Sequence, residues 1–137
     1  MISDIKVLIA GCGSIGRRHL KNLHGLGVRN FILCDTDNVR LEEACAGITD
    51  PRPVLTTGLK EAVAARPHAA VISTPSSMHL PMGMELTNSG VHILMEKPLS
   101  HTLVGVEELI KAAEDKGIVA MMAMCYRFHP VMLHVKN

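Results

Sequence analysis

Short apolar runs alternate along this chain with amphipathic stretches of helical spacing, and turn residues separate them. Residues 5–10 form a largely apolar run that ends in Gly11, the pattern of a strand buried on both faces of a parallel sheet. The following helix is predicted from Ser14, which can cap it, to about Leu26, with Gly27 as its stop. A second short strand, 31–34, ends at Asp35, and Asp37 can cap a helix through Leu41, Ala44 and Cys45. Residues 48–57 hold Pro51 and Pro53 and read as loop, with a short strand at Val54 and Leu55, before a short helix over 59–64. Residues 69–73 are the next strand. A turn follows, because Pro75 biases Thr74 away from helix. Residues 77–89 read as a helix, with Pro81 tolerated in its first turn and Gly90 closing it. A strand over 91–96, a helix over 102–116 and a last strand over 118–124 complete the series.

Strands that alternate with helices predict an α/β fold: a Rossmann-type, doubly wound parallel sheet of about six strands. The chain of 137 residues has the length of one domain. Residues 128–137 carry Val131, Met132, Leu133 and Val135 and read as the start of another element rather than a polar end.

Composition narrows the partners. One Tyr, two Phe and no Trp leave few rings on which bases could stack. With a net charge of +1, the densest basic spot is Arg17-Arg18, so neither a nucleic acid nor a membrane surface is expected as a partner. Cys12, Cys34, Cys45 and Cys125 lack metal-like or redox-like spacing, and His129 and His134 with Cys125 make no convincing ligand set, so no metal is expected. Reduced, mostly buried thiols and the lack of a signal peptide point to a cytoplasmic protein. The longest apolar stretch, 118–126, is far short of the about 20 residues that span a bilayer.

Gly11-Cys12-Gly13-Ser14-Ile15-Gly16 has the context that a dinucleotide loop requires: a buried strand before it, a helix after it and an acid at the end of the next strand. Gly11 permits a tight turn, Gly13 lets backbone approach a diphosphate, and Gly16 lets the helix pack close to the sheet. The free N–H groups of the turn through Ser14, Ile15 and Gly16 favour an anion there. Asp35 can accept hydrogen bonds from both ribose hydroxyls and would repel a 2′-phosphate, which favours NAD. Arg40 argues the other way, because a nearby arginine can hold that phosphate, so NADP stays open.

Ligands of open parallel sheets sit outside the carboxyl ends of the strands. Thr74-Pro75, Glu96-Lys97-Pro98 and Tyr126-Arg127-Phe128 all fall there. Lys97 is either a proton-transfer group or a surface lysine paired with Glu96. His79 either lies near the site or supports helix packing, and Arg127 either touches cofactor or substrate or pairs with an acid.

Four segments in this order and spacing resemble the Gfo/Idh/MocA oxidoreductases over nearly the whole chain. They are the glycine loop with His19, Ser73-Thr74-Pro75-Ser76-Ser77-Met78-His79, Glu96-Lys97-Pro98-Leu99 and Arg127-Phe128-His129-Pro130. The resemblance implies a nicotinamide-binding domain followed by a second, α+β domain that shapes a sugar or polyol site and forms the oligomer interface. Lys97 matches the family's catalytic lysine, which assists proton transfer while hydride moves to nicotinamide. The Lys97–Pro98 bond matches a position where the family often uses a cis peptide. Thr74, Pro75, Ser77 and His79 match the turn and helix start near the cofactor, although Ser77 stands where the family commonly has asparagine.

A second, histidine-containing catalytic motif of the family has no counterpart in this sequence. Residues 1–125 are therefore expected to be the cofactor domain and 126–137 the start of a connection to an absent domain. Such a chain is expected to bind NAD(H) weakly, turn over little and self-associate through apolar surface near Val131. Two rival readings are a non-catalytic NAD-sensing or partner-binding module and a domain for NAD-dependent glycoside cleavage.

Overall fold

The computed structural model describes residues 1–136. Strand β1 (Lys6–Ala10) divides its side chains between two cores, as a period of two requires. Leu8 and Ala10 join a core with Ile32, Ile72, Leu86 and Leu109, whereas Val7 and Ile9 join Leu20, Leu33, Leu41 and Val71. Around it stand β2 (Asn30–Cys34), β3 (Val54–Thr56), β4 (Ala69–Ile72), β5 (His92–Met95) and β6 (Ala120–Met122). The sheet order is β3-β2-β1-β4-β5-β6, and every adjacent pair is parallel. The order reverses direction between β1 and β4, which opens a crevice at their carboxyl ends.

Helices α1 (Ser14–Gly25) and α2 (Asn38–Cys45) cover one face through Leu20, Leu41 and Ala44. The other face is covered by α3 (Leu59–Ala64), α4 (His79–Asn88) and α5 (Val106–Asp115), through Ala62, Met82, Leu86 and Leu109. Leu8, Ile9, Ile32, Leu33 and Ile72 are fully buried. Each contributes about 1.5–3 kcal/mol by leaving water.

The predicted α/β architecture is present, with shifts at element ends. The helix expected over 102–116 begins at Val106, because Gly105 takes a positive φ of 88° and the preceding residues form hydroxyl-bonded turns. Pro75 starts a single 3-10 turn, Ser76–Met78, before α4 begins. Asp37 caps α2 as expected, accepting from the Val39 N–H at 2.8 Å. Ser14 does not cap α1: Gly13 is the N-cap residue, and no side chain binds there. The last segment is helical, α6 (Pro130–Lys136), and Phe128, Val131, Met132, Leu133 and Val135 on and before it are exposed. Asn137, the end of the expected connecting segment, lies outside the described residues. Among the described residues no helix is long and apolar enough to cross a membrane.

Candidate functional site

The three loop glycines differ in what requires them. Gly11 has φ +90°, and a Cβ there would meet the Ser73 carbonyl carbon and oxygen at 2.8 Å. A Cβ on Gly16 would run into the Gly11 carbonyl, so this glycine lets α1 seat against the end of β1. Gly13 has φ −67°, and a Cβ built there meets nothing within 4 Å. Neither the fold's sterics nor its backbone angles demand glycine at this position. What Gly13 supplies is open space at the start of a 12-residue helix whose first N–H groups have no side-chain cap. That combination suits an anion held by backbone.

Asp35, one residue beyond β2, supports this loop. Its Oδ2 accepts from the Cys12 N–H at 2.8 Å, and its Oδ1 accepts from the Asp37 N–H at 2.9 Å. A carboxylate has about four lone-pair sites, so two remain for incoming hydroxyls. Arg40 lies on α2 with its Nε 3.6 Å from Asp37, and Arg17 is paired with Glu43 at 2.6 Å. The residues present thus fit the adenosine and diphosphate half of NAD.

Next to the loop, Ser73 Oγ donates to the Gly11 carbonyl at 2.8 Å and approaches the Ala10 carbonyl at 3.2 Å. Thr74 follows, its hydroxyl 3.5 Å from Met82 Sδ. At the end of β5, Glu96 is bound from two sides. His19 Nε2 on α1 donates to Oε1 at 2.7 Å, and the Lys97 N–H donates to Oε2 at 3.2 Å. The carboxylate therefore binds the backbone of Lys97, not its amine, and among the described residues Lys97 forms no ion pair. The Lys97–Pro98 peptide is cis.

Lys97 and Arg127 line one hollow of about 790 Å³ with Met124, Tyr126, Phe128 and Met132. Arg127 has no acidic partner among the described residues. His79 lies apart from the open surface: it is 1% exposed, and its ring nitrogens face the carbonyls of Pro98 and Thr74.

The site thus gathers the glycine loop, Asp35, Thr74, Pro75, Glu96, Lys97 and Arg127 along one sheet edge. Ser14 and Ile15 form the first turn of α1 beside it, and Ile15 is 39% exposed. Arg40 stands to the side. In the sequence His19 stands out only as a motif residue, with no role assigned by its neighbours. Its position three residues after Gly16, on the buried side of α1, was the available signal.

Cys12 sits inside the loop but is inert. Burial, with the Asp35 charge second, pushes its thiol up to about 12, and the same two causes push Cys34 to about 11. Among the described residues no cluster of His, Cys, Asp or Glu could hold a metal ion.

Strand order, the glycine loop and the acid at the end of β2 together define a dinucleotide-binding Rossmann domain. The chain belongs to the Gfo/Idh/MocA oxidoreductase family, whose NAD-binding Rossmann profile matches residues 5–124. It is 27% identical over 137 residues to 4-carboxy-2-hydroxymuconate-6-semialdehyde dehydrogenase of Sphingobium sp. strain SYK-6, covering 97% of this chain and 42% of that protein. It is 32% identical over 137 residues to inositol 2-dehydrogenase 4 of Saccharopolyspora erythraea, covering 98% of this chain and 40% of that one. Among solved structures, the WlbA dehydrogenase of Chromobacterium violaceum, in complex with NADH and UDP-GlcNAcA, superposes with a TM-score of 0.87 at 23% identity. That match covers 96% of this chain and 38% of WlbA. The chain therefore spans about two-fifths of the length of these relatives.

Proposed function

We propose that this chain is the cofactor-binding part of a dehydrogenase acting on a sugar or polyol hydroxyl, with Lys97 as the proton-transfer group. One observation carries the reading: Glu96 is committed to His19 and to the Lys97 backbone, so that among the described residues the Lys97 amine has no ionic partner beside a large hollow. A surface lysine with only a structural role would be expected to take the adjacent carboxylate.

When bound, NAD supplies the ring that exchanges hydride with the substrate carbon. The chain's residues do the rest. The open N-terminus of α1 at Gly13 holds the diphosphate through backbone N–H groups, and Asp35 accepts the ribose hydroxyls. Lys97 takes the proton from the substrate hydroxyl as the alcohol is oxidised and returns it in the reverse direction. Arg127, across the same hollow, binds the cofactor or the substrate.

NAD is preferred over NADP, since the Asp35 carboxylate repels a 2′-phosphate and Arg40 is drawn toward Asp37. The hollow beside Lys97 is walled on its outer side by exposed side chains, Tyr126 at 69% and Phe128 at 73%. Such a wall excludes little water, so the chain by itself binds NAD(H) and turns over slowly.

Calorimetric titration with NAD, NADH and NADP, on the chain and on a Lys97→Ala variant, tests the reading. Tighter binding of NAD(H) than of NADP is expected, and Lys97→Ala keeps most of that affinity. In the gene product that carries the chain, Lys97→Ala is expected to lower dehydrogenase turnover by about 10²–10⁴-fold. Unchanged turnover would favour a sensing or partner-binding role.

A further inference from the structure

Histidines at the two edges of the sheet bind backbone in opposite senses. At the amino edge, His68 Nδ1 accepts the Lys6 N–H at 2.9 Å, and His92 Nδ1 accepts the Val119 N–H at 3.0 Å. At the carboxyl edge, His79 meets two carbonyls, Pro98 at Nδ1 and Thr74 at Nε2, each at 2.9 Å. A carbonyl oxygen offers lone pairs and no hydrogen. A ring bonded to both must therefore donate from both nitrogens, which imidazole does only when doubly protonated. The ring is 1% exposed, so solvent is poorly placed to replace either partner, and a bond left unmade there would cost the group's full desolvation. Burial opposes the charge, and the two carbonyl bonds are what offset it.

We propose that His79 is a doubly protonated positioning residue that straps the Thr74–Pro75 turn to the Lys97–Pro98 segment. It shapes the site without touching what the site holds, because both of its nitrogens are spent on the protein. The strap completes a circuit. Ser73 is bound to the Gly11 carbonyl, Thr74 to His79, His79 to Pro98, and Glu96 to His19 on α1, the helix that starts from the glycine loop. Lys97 lies inside this circuit, so its position relative to the loop is set by bonds at both of its chain neighbours. The consequence for Lys97 chemistry rests on the function proposed above; the two ring protons do not.

NMR of the chain carrying ¹⁵N-labelled histidine tests the first part. At neutral pH, one ring is expected to show two slowly exchanging N–H signals, both absent from His79→Gln. A bare nitrogen on the His79 ring of the folded, unmodified chain would overturn the proposal, and this measurement needs no variant to fold except for assignment. His79→Asn serves for that assignment should His79→Gln fail.

NADH titration well below the melting temperature tests the strap. The variant is expected to bind NADH about tenfold more weakly, with the Lys97 amide resonance displaced. A merely structural histidine would lower the melting temperature and leave the affinity of the folded protein unchanged, and that result would refute positioning. If the unmodified chain binds no NADH, the proposed function fails. The Lys97 resonance then decides the strap alone: displaced in the variant if the strap exists, unmoved if it does not.

Discussion

The His19 imidazole and the Glu96 carboxylate lie 2.7 Å apart, and this bond joins helix α1 to the end of β5. The helix that starts from the glycine loop and the lysine segment are thereby joined. Both side chains are about one-fifth exposed, 22% and 19%, so the bond is shielded enough to matter. His19→Ala frees Oε1 of Glu96, and the carboxylate can then turn toward the Lys97 amine. Loss of about 1–2 kcal/mol of stability is expected, together with severalfold weaker NADH binding. A thermal melt and an NADH titration measure both. Wild-type values for each would show that the pair links nothing.

The loop glycines separate fold from binding. Gly13→Ala places a methyl where no protein atom lies within 4 Å, at a φ of −67° that alanine adopts freely. Stability should change by less than about 0.5 kcal/mol. The methyl would occupy the approach of a diphosphate, so NAD(H) affinity should fall by about tenfold or more. Gly11→Ala combines a positive φ with contacts at 2.8 Å to Ser73 and should cost about 1–3 kcal/mol or unfold the chain. Differential scanning calorimetry beside ligand titration resolves the pair. A Gly13→Ala protein with wild-type affinity would rule out diphosphate binding at this helix.

Asp35 holds the loop through one carboxylate, and the proposed cofactor preference rests on the same group. Asp35→Asn retains a single acceptor oxygen, so only one of the two N–H groups at Cys12 and Asp37 keeps its bond. Loss of about 1–2 kcal/mol is expected, because a backbone N–H then faces an amide N–H. Removing the charge also removes the repulsion of a 2′-phosphate, so the NAD-to-NADP affinity ratio should fall. Paired titrations at matched ionic strength check this, and an unaltered ratio would place the discrimination elsewhere.

The parts of this molecule legible in its sequence are those fixed by local rules. Residues 5–10 read as a buried strand because apolar runs of that length between turn residues seldom do anything else, and Asp37 read as a cap because its side chain reaches its own helix. Ser14 was misread by the same rule: the helix starts on it rather than after it, since Gly13 supplies the extended N-cap backbone. Gly105 lies within a helical pattern, and its positive φ makes the helix start at Val106, four residues later than expected. The candidate site was legible as a set of segments but not as a set of bonds. His19 and Glu96 are 77 residues apart in sequence, and the partners of His79 lie 5 and 19 residues away. Which carboxylate a histidine takes, or whether a lysine keeps its neighbour, depends on how helices seat on a sheet, and no local periodicity encodes that.

The two buried thiols give a test of the fold that needs no ligand. Cys12 is pushed up to about 12 and Cys34 to about 11, first by burial and then by the Asp35 charge, against 9.0 for an unperturbed thiol. The raised values mean that the folded chain holds these protons more tightly than the unfolded one. Their stabilising contribution is complete below pH 9, where both states are protonated, and is lost as pH rises from 9 toward 11 and 12. In that window each thiol lowers stability by up to about 1.4 kcal/mol per pH unit. Melting temperature should therefore be insensitive to these groups up to about pH 9 and then fall. Lysine and tyrosine titrate in the same range, so the comparison is with a Cys12→Ala, Cys34→Ala double variant. Its loss of buried sulfur lowers stability by a constant, but its alkaline slope should be shallower. Parallel slopes for the two proteins would mean that the thiols are not shielded as the structure places them. In the folded chain, the exposed Cys125 should react with iodoacetamide well before Cys12 or Cys34 does.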